Sequence, residues 1–396
     1  MTYPQVDLGS VVDLQAGIGF PTGLQGKTSG KFPFAKVGDI SRNGRTGKPI
    51  LSTVDNYIDQ TDVESLRAKI IPEGSILFAK IGEAIKQNHR VISHRSLLID
   101  NNAMAAIPSE KIDNLYLYYF LKQVDFYRLA PATTVPALRK SDLEKIKIPL
   151  PPLAEQRRIA SILDQADELR QKRQQAIEKL DQLLQATFID MFGDPVSNPK
   201  GWEIFKSKAL FQDPPRIGTT TPANGEGIPV VRVGELGQFY IDFEKCGRVQ
   251  ISESDFKKYE LKNGDLVLAR AIGSKNQLGK CSYFSEYFEP VCIDSHVMRL
   301  RPDSEKMHPL WFYFLLSSDQ GKKILQSKGG ATAVQFNINS AQANDLDIAL
   351  PPLSEQAKFV EIANKILKNK DSHIKSLEKN NLLFSSLQNQ AFNGTL

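Results

Sequence analysis

Ile148-Pro149-Leu150-Pro151-Pro152-Leu153-Ala154-Glu155-Gln156 returns 200 positions later as Ile348-Ala349-Leu350-Pro351-Pro352-Leu353-Ser354-Glu355-Gln356. Each copy opens a long stretch patterned as a helix. A period close to half of a 396-residue chain marks a duplicated domain-plus-helix unit, since solenoid repeats run only to about 50 residues. Other anchors repeat in the same order. Phe34 to Ile40 matches Val230 to Leu236, Gly74 to Lys80 matches Gly264 to Arg270, and Leu115 to Leu121 matches Leu310 to Leu316. Lys36 falls on Arg232 and Lys80 on Arg270, while the segments between anchors diverge freely.

The runs after Gly74 and Gly264 are short and β-rich, so each is expected to be a strand. Asp113-Asn114 is placed to cap a helix over the aromatic run, which continues through Val124 and Tyr127. Each globular half is therefore mixed α and β. From Glu155 to Phe192 there is no Pro or Gly, and Gly193-Asp194-Pro195 stops the stretch. Ile159, Ile162, Ala166, Leu169 and Leu180 form one apolar seam, and Phe359, Ile362, Ile366, Ile374 and Leu377 form the second. Rods of about 57 Å cannot bury such a stripe alone. The economical arrangement is α+β: two similar mixed α/β domains separated by two long antiparallel helices packed as a coiled coil. The expected parts are a domain over 1–150, a helix over 151–194, a domain over 195–350 and a helix over 351–396. Hairpins within each domain, or pairing of rods between two chains, are the alternatives left open.

Fifty Lys and Arg stand against 45 acids, a net charge of +5, which permits nucleic-acid binding without demanding it. Cys246, Cys281 and Cys292 lack metal-type spacing and fit free buried thiols in a reducing cytosol. The N-terminus lacks a basic start followed by an apolar run, and no stretch approaches 18 consecutive apolar residues, so a cytoplasmic location without a membrane span is expected. Catalytic signatures are missing too. Asp213-Pro214-Pro215-Arg216 carries Arg where a base-gripping methyltransferase loop needs an aromatic, and it reads as a loop near the start of the second half. The five histidines have no ligand spacing, and there is no P-loop. A binding protein without a metal or cofactor of its own is favoured over an enzyme.

The paired Leu-Pro-Pro-Leu-x-Glu-Gln phrases, together with Met191-Phe192-Gly193-Asp194-Pro195 and Asn198-Pro199-Lys200-Gly201-Trp202 after the first helix, resemble the specificity subunit of type I restriction-modification systems. The order globular, helix, globular, helix covers essentially the whole chain. The one departure noted is Ala349 in place of Pro149. The resemblance implies two target recognition domains, each reading part of a split double-stranded DNA sequence. It implies helices that act as a ruler and dock two methyltransferase (modification) subunits, with restriction/translocase subunits joining that core. S-adenosylmethionine would belong to the methyltransferase partner.

DNA contacts need Lys or Arg for phosphates, Arg for guanine and Asn or Gln for adenine. Lys80, Lys86, Gln87, Asn88 and Arg90 follow the strand in one half; Arg270, Lys275, Asn276, Gln277 and Lys280 follow its equivalent in the other. Their recurrence at one place favours contact loops over ordinary solvated loops. Lys36, Arg42 and Arg45 with Asn43, and Arg232 with Gln238 to Tyr240, form a second pair of candidates. Thr133, Thr134, Arg139 and Lys140, matched roughly by Thr332, Gln335, Asn337 and Asn339, form a third that packing at the hinge would equally explain. The aromatic runs around Tyr118 and Phe312 are read as core. A structural adaptor holding two proteins on a helical spacer is the competing function.

Overall fold

Gln156 and Gln356, the last residues of the repeated phrase, are both fully buried, and their bonding explains why the phrase occurs twice. In a computed structural model of the protein, which describes residues 3–130, 135–272, 279–328, 330–331 and 336–396, each glutamine amide donates to the carbonyl of the first proline of its Pro-Pro pair, at 2.8 Å. Each Oε1 accepts a backbone N–H, from Asp113 or from His308, again at 2.8 Å. Those two residues cap the aromatic helices Asn114–Gln123 and Pro309–Ser317. The glutamine therefore bolts the start of each long helix to the start of the aromatic helix. Buried amides with all polar atoms paired fix geometry because an unpaired one would be costly.

The long helices are Leu153–Phe192 and Leu353–Asn393. The chain divides into two compact units, 1–175 with 373–396, and 176–372, so each unit holds part of both helices. In the first unit a five-stranded sheet runs in the order Val12–Ala16, Ala103–Pro108, Ile76–Ala79, Val91–Ser93, Ile50–Leu51, beside a three-stranded sheet centred on Phe32–Ala35. In the second unit a four-stranded sheet runs Phe211–Ile217, Val297–Pro302, Leu266–Ala269, Cys281–Tyr283, beside a three-stranded sheet centred on Ile228–Val231. The strands after Gly74 and Gly264 are central in these sheets and buried along their length. Asp213 to Arg216, expected as a loop, lies in the bulged strand Phe211–Ile217. The aromatic run also stops earlier than expected: Val124 turns to extended backbone, and Asp125 caps a separate short helix, Phe126–Leu129. Tyr116, Tyr118, Tyr119, Trp311 and Phe312 are core residues.

Within each unit the two helical parts are antiparallel. In the first, Arg158 reaches the carbonyl of Leu396, Arg170 Nε donates to Asn381 Oδ1 at 2.6 Å, and Arg173 meets His373 at 3.0 Å. In the second, Lys370 pairs with Asp181, and Phe188 and Phe192 pack on Phe359 at centroid distances of 5.3 and 5.6 Å. Shifting the Arg170–Asn381 contact by 200 positions gives Lys370–Asp181 with the helices exchanged.

Ile159 and Phe359 are fully buried, and Ile162, Ala166, Leu180, Ile366, Ile374 and Leu377 are half-buried. Leu169 and Ile362, expected in the seams, are 55% and 38% exposed. The buried line in the first helix instead steps from Ile159 to Leu163 and Asp167. Asp167 belongs there because Lys122 Nζ lies 2.9 Å and Arg170 2.8 Å from its carboxylate. Counting apolar steps passes over an acid that sits in the seam. All three cysteines are free.

Candidate nucleic-acid interface

Three strand ends meet in each unit, and the duplication places equivalent residues at each. The central strand of the small sheet ends at Lys36 or Arg232, whose backbone N–H is taken by the buried carboxylate of Asp39 at 2.8 Å or Glu235 at 2.7 Å. Its parallel partner strand, Leu98–Ile99 or Cys292–Ile293, runs into the turn Asp100-Asn101-Asn102 or Asp294-Ser295-His296. The strand Ile76–Ala79 or Leu266–Ala269 ends at Lys80 or Arg270, whose N–H donates to the carbonyl of Asn102 at 2.7 Å or His296 at 3.1 Å. Gly17 and Gly218 close the corner. A Cβ at either would stand 2.0 Å from the carbonyl oxygen of Asp100 or Ile293, so only glycine fits. Lys36 with Lys80, and Arg232 with Arg270, are thus brought to one edge around a polar turn.

Burial pushes the Asp100 carboxyl above its ordinary range, partly offset by bonds from Asn102 and by Lys36. Asp294 Oδ1 lies 2.7 Å from His296 Nδ1. Cations around an acid–amide or acid–imidazole turn can take phosphate oxygens while the turn's side chains reach base edges.

The remaining candidates separate by exposure. Arg42 and Arg45 are exposed on the helix Val37–Arg45, with Arg42 paired to Asp39 and, at 2.8 Å, to Asp55. Lys36 Nζ donates to Gln25 at 2.7 Å and sits over the Phe20 ring. Lys80 and Lys280 are half-buried; Lys86 and Gln87 are exposed. Arg232 pairs with Glu235 at 3.1 Å. Arg270 donates to the carbonyls of Ser295 and Ile338 at 2.8 and 3.4 Å, bracing the corner from within.

Arg90 and Asn88 face inward, contrary to expectation. Arg90 is 4% exposed and lies 3.7 Å over the Phe126 ring, and burial pulls its pKa down to about 9. Asn88 accepts from Arg90 at 2.7 Å and donates to the Lys122 carbonyl at 3.2 Å. Asn43 is buried as well, holding Ser52 and Thr53. Gln238 gives its carbonyl to Tyr313, Tyr240 donates to Asp371 at 3.3 Å, and Asn339 caps the helix Ser340–Asn344. Lys275, Asn276, Gln277, Thr133, Thr134, Thr332 and Gln335 lie outside the described residues. Sequence reasoning missed the turn itself, although Ile99-Asp100 and Ile293-Asp294 repeat and could have pointed to it.

The family model described as "Type I restriction modification DNA specificity domain" matches residues 2–179 and again 199–382. The chain belongs to the type I restriction-modification DNA specificity family. It is 27% identical over 315 residues to the StySPI specificity subunit of Salmonella potsdam, covering 73% of this chain and 67% of that one. It is 23% identical over 357 residues to the EcoKI specificity subunit of Escherichia coli K12, covering 83% and 76%. The S subunit of M. genitalium superposes with a TM-score of 0.56 at 16% identity, covering 99% of this chain and 96% of that one. A structure described by type I complex assembly and conformational transition superposes at 0.54 with 18% identity, covering 100% and 98%. Each likeness to a solved structure supports the fold. The two units are DNA specificity domains, and the chain is the recognition component of a type I system, not a catalytic one. Among the described residues no helix is long and apolar enough to cross a membrane.

Proposed function

We propose that each unit reads one part of a bipartite duplex target, with the strand-end corner as the reading edge, and that the two helices set the spacing. The observation that carries this is the duplicated corner, with Lys36, Lys80 and Asn102 in one unit and Arg232, Arg270 and His296 in the other. The turn residues differ between units where the framework is kept, as two different half-targets require. The helices are also proposed to dock two methyltransferase subunits, which would hold the S-adenosylmethionine, with restriction/translocase subunits joining. Supporting this, Leu169, Leu183, Ile362, Leu382 and Leu383 are large apolar residues left exposed on the helices, available to a partner's surface. Selecting bound duplexes from a random pool with the chain and its methyltransferase partner should return two short fixed stretches at constant separation. One contiguous stretch, or no enrichment, would overturn this reading.

A further inference from the structure

We propose that a cationic cleft in the first unit, along the free edge of the strand Val12–Ala16, grips a backbone phosphate of the duplex beside the reading edge. The inference rests on the DNA-reading assignment above. This strand is the outermost of its five-stranded sheet, and a cleft of about 390 Å³ follows its open side. Arg67, Lys69 and Lys140 line it, with Asp13 the one acid among the lining residues. Lys140 Nζ reaches Asp13 only at 3.4 Å and Glu144 at 3.7 Å. Such long, exposed contacts are weak and leave the ammonium available to a stronger anion. The Lys69 carbonyl is tied to Gln15 at 3.2 Å, fixing that segment against the strand.

Arg67 sharpens the case. It follows the helix Gln60–Ser65 with φ +49°, and the next N–H, from Ala68, returns to the Val63 carbonyl at 3.1 Å. Helices ending this way ordinarily use glycine. Holding a long cation in the left-handed region costs backbone energy, and such outliers concentrate where function requires the side chain. The cleft is also well placed: Gly17 and Ile99 line it, and the Asp100–Asn102 turn begins at the next residue. At the equivalent sequence positions the second unit has Lys257 for Arg67, Tyr259 for Lys69 and Ser340 for Lys140, so it keeps one of the three cations and lacks the other two.

Phosphate is the chemistry recognised; the duplex backbone, not free phosphate, is the proposed source. The test uses the full chain and a fluorescent random-sequence duplex, because the backbone term is independent of sequence. The slope of log affinity against log salt falls by about 0.9 for each phosphate that is no longer neutralised. Combining Arg67→Gly, Lys69→Gln and Lys140→Gln should lower that slope by about one such step and weaken every duplex by the same factor. Arg67→Gly alone should lower affinity while leaving the melting temperature unchanged or raised, because glycine suits that backbone; this separates a weaker grip from a weaker fold. If the wild type binds duplex and the triple variant keeps its slope, the cleft proposal fails and the reading edge stands. An unchanged slope together with variant-sensitive binding of inorganic phosphate overturns the duplex as the source. If the wild-type chain retains no duplex at any salt concentration even with its methyltransferase partner present, both proposals fall together.

Discussion

The two units share a framework but fill its middle layer with opposite chemistry. In the first, Ala105 and Ile107 lie on the strand Ala103–Pro108 and Ser75 just precedes the strand Ile76–Ala79, with Ala105 and Ser75 fully buried. At the matching register the second carries Arg299, Arg301 and Asp265. Arg301 clasps Asp265 through Nε and Nη2 at 2.7 and 2.8 Å and reaches Asp213 at 2.7 Å; Arg299 donates to the Glu260 carbonyl at 2.9 Å. Asp213 stands opposite Arg301 in register, as Asp13 stands opposite Ile107 in the first unit. One topology thus tolerates an apolar layer or an ionic one, in which Arg301 is held by two carboxylates and Arg299 by a backbone carbonyl. A buried ion pair adds little net stability over an apolar filling, yet breaking one side is expensive.

The largest expected effect follows directly. Asp265→Ala should destabilise the second unit by about 3–5 kcal/mol, because it strands the Arg301 cation. Asp265→Ser combined with Arg301→Ile, the residues the first unit uses, should recover most of that loss. Urea unfolding, with hydrogen exchange followed on peptides of each unit, measures both. A double variant as weak as the single one would break the equivalence of the two layers.

Next in size is the residue that opens the strand beside the centre. The first unit has Arg90 stacked on Phe126; the second has Lys280, half-buried. Arg90→Ala should cost about 2–3 kcal/mol, the worth of charge-assisted bonds to His89 and Asn88, without relaxing preference at any one base. Lys280→Ala should cost less. A change of base preference in the Arg90 variant would return that arginine to the reading edge.

A smaller contrast lies where the helices meet the domains. Phe384 packs on Tyr119 and under Arg170 in the first unit. Its counterpart 200 positions earlier is Leu184, which lines a cavity of about 660 Å³ in the second. At about 0.8 kcal/mol per buried carbon, Phe384→Leu should cost about 2 kcal/mol in its unit. Leu184→Phe should raise the melting temperature of the other, since the extra carbons enter empty space.

These contrasts mark where sequence reading stops. The repeated Pro-Pro phrase, the two long helices and the paired cations Lys36/Arg232 and Lys80/Arg270 were legible because position along the chain carries them. The helix seam was misplaced at Leu169 because Asp167 is kept by Lys122, a partner on another element. Arg90 read as a contact residue because a cation in a polar stretch looks the same whether it meets water or an aromatic ring. Its partner Phe126 is joined to it only by folding.

The smallest expected effect is one of sign. Where the chain first pairs its edge strands, Asp7 meets Lys147 at 2.8 Å; at the same place in the second unit Lys206 meets Asp347 at 2.7 Å, with the charges exchanged. The exchange leaves Lys206 and Lys328 to share Asp345 as well, at 2.8 and 2.7 Å, and together they hold its carboxyl down to about 2. An unfolded aspartate titrates near about 3.9, so the folded group releases its proton more readily. Its contribution is therefore present above about pH 4 and disappears as pH falls through that value toward about 2. Asp345→Asn should flatten this part of the acid limb in peptides of the second unit and leave the first unit's unchanged. Because the site is exposed, added salt should shrink the wild-type effect too. An acid limb identical in wild type and variant would mean that the exchanged charges leave the two edges equivalent.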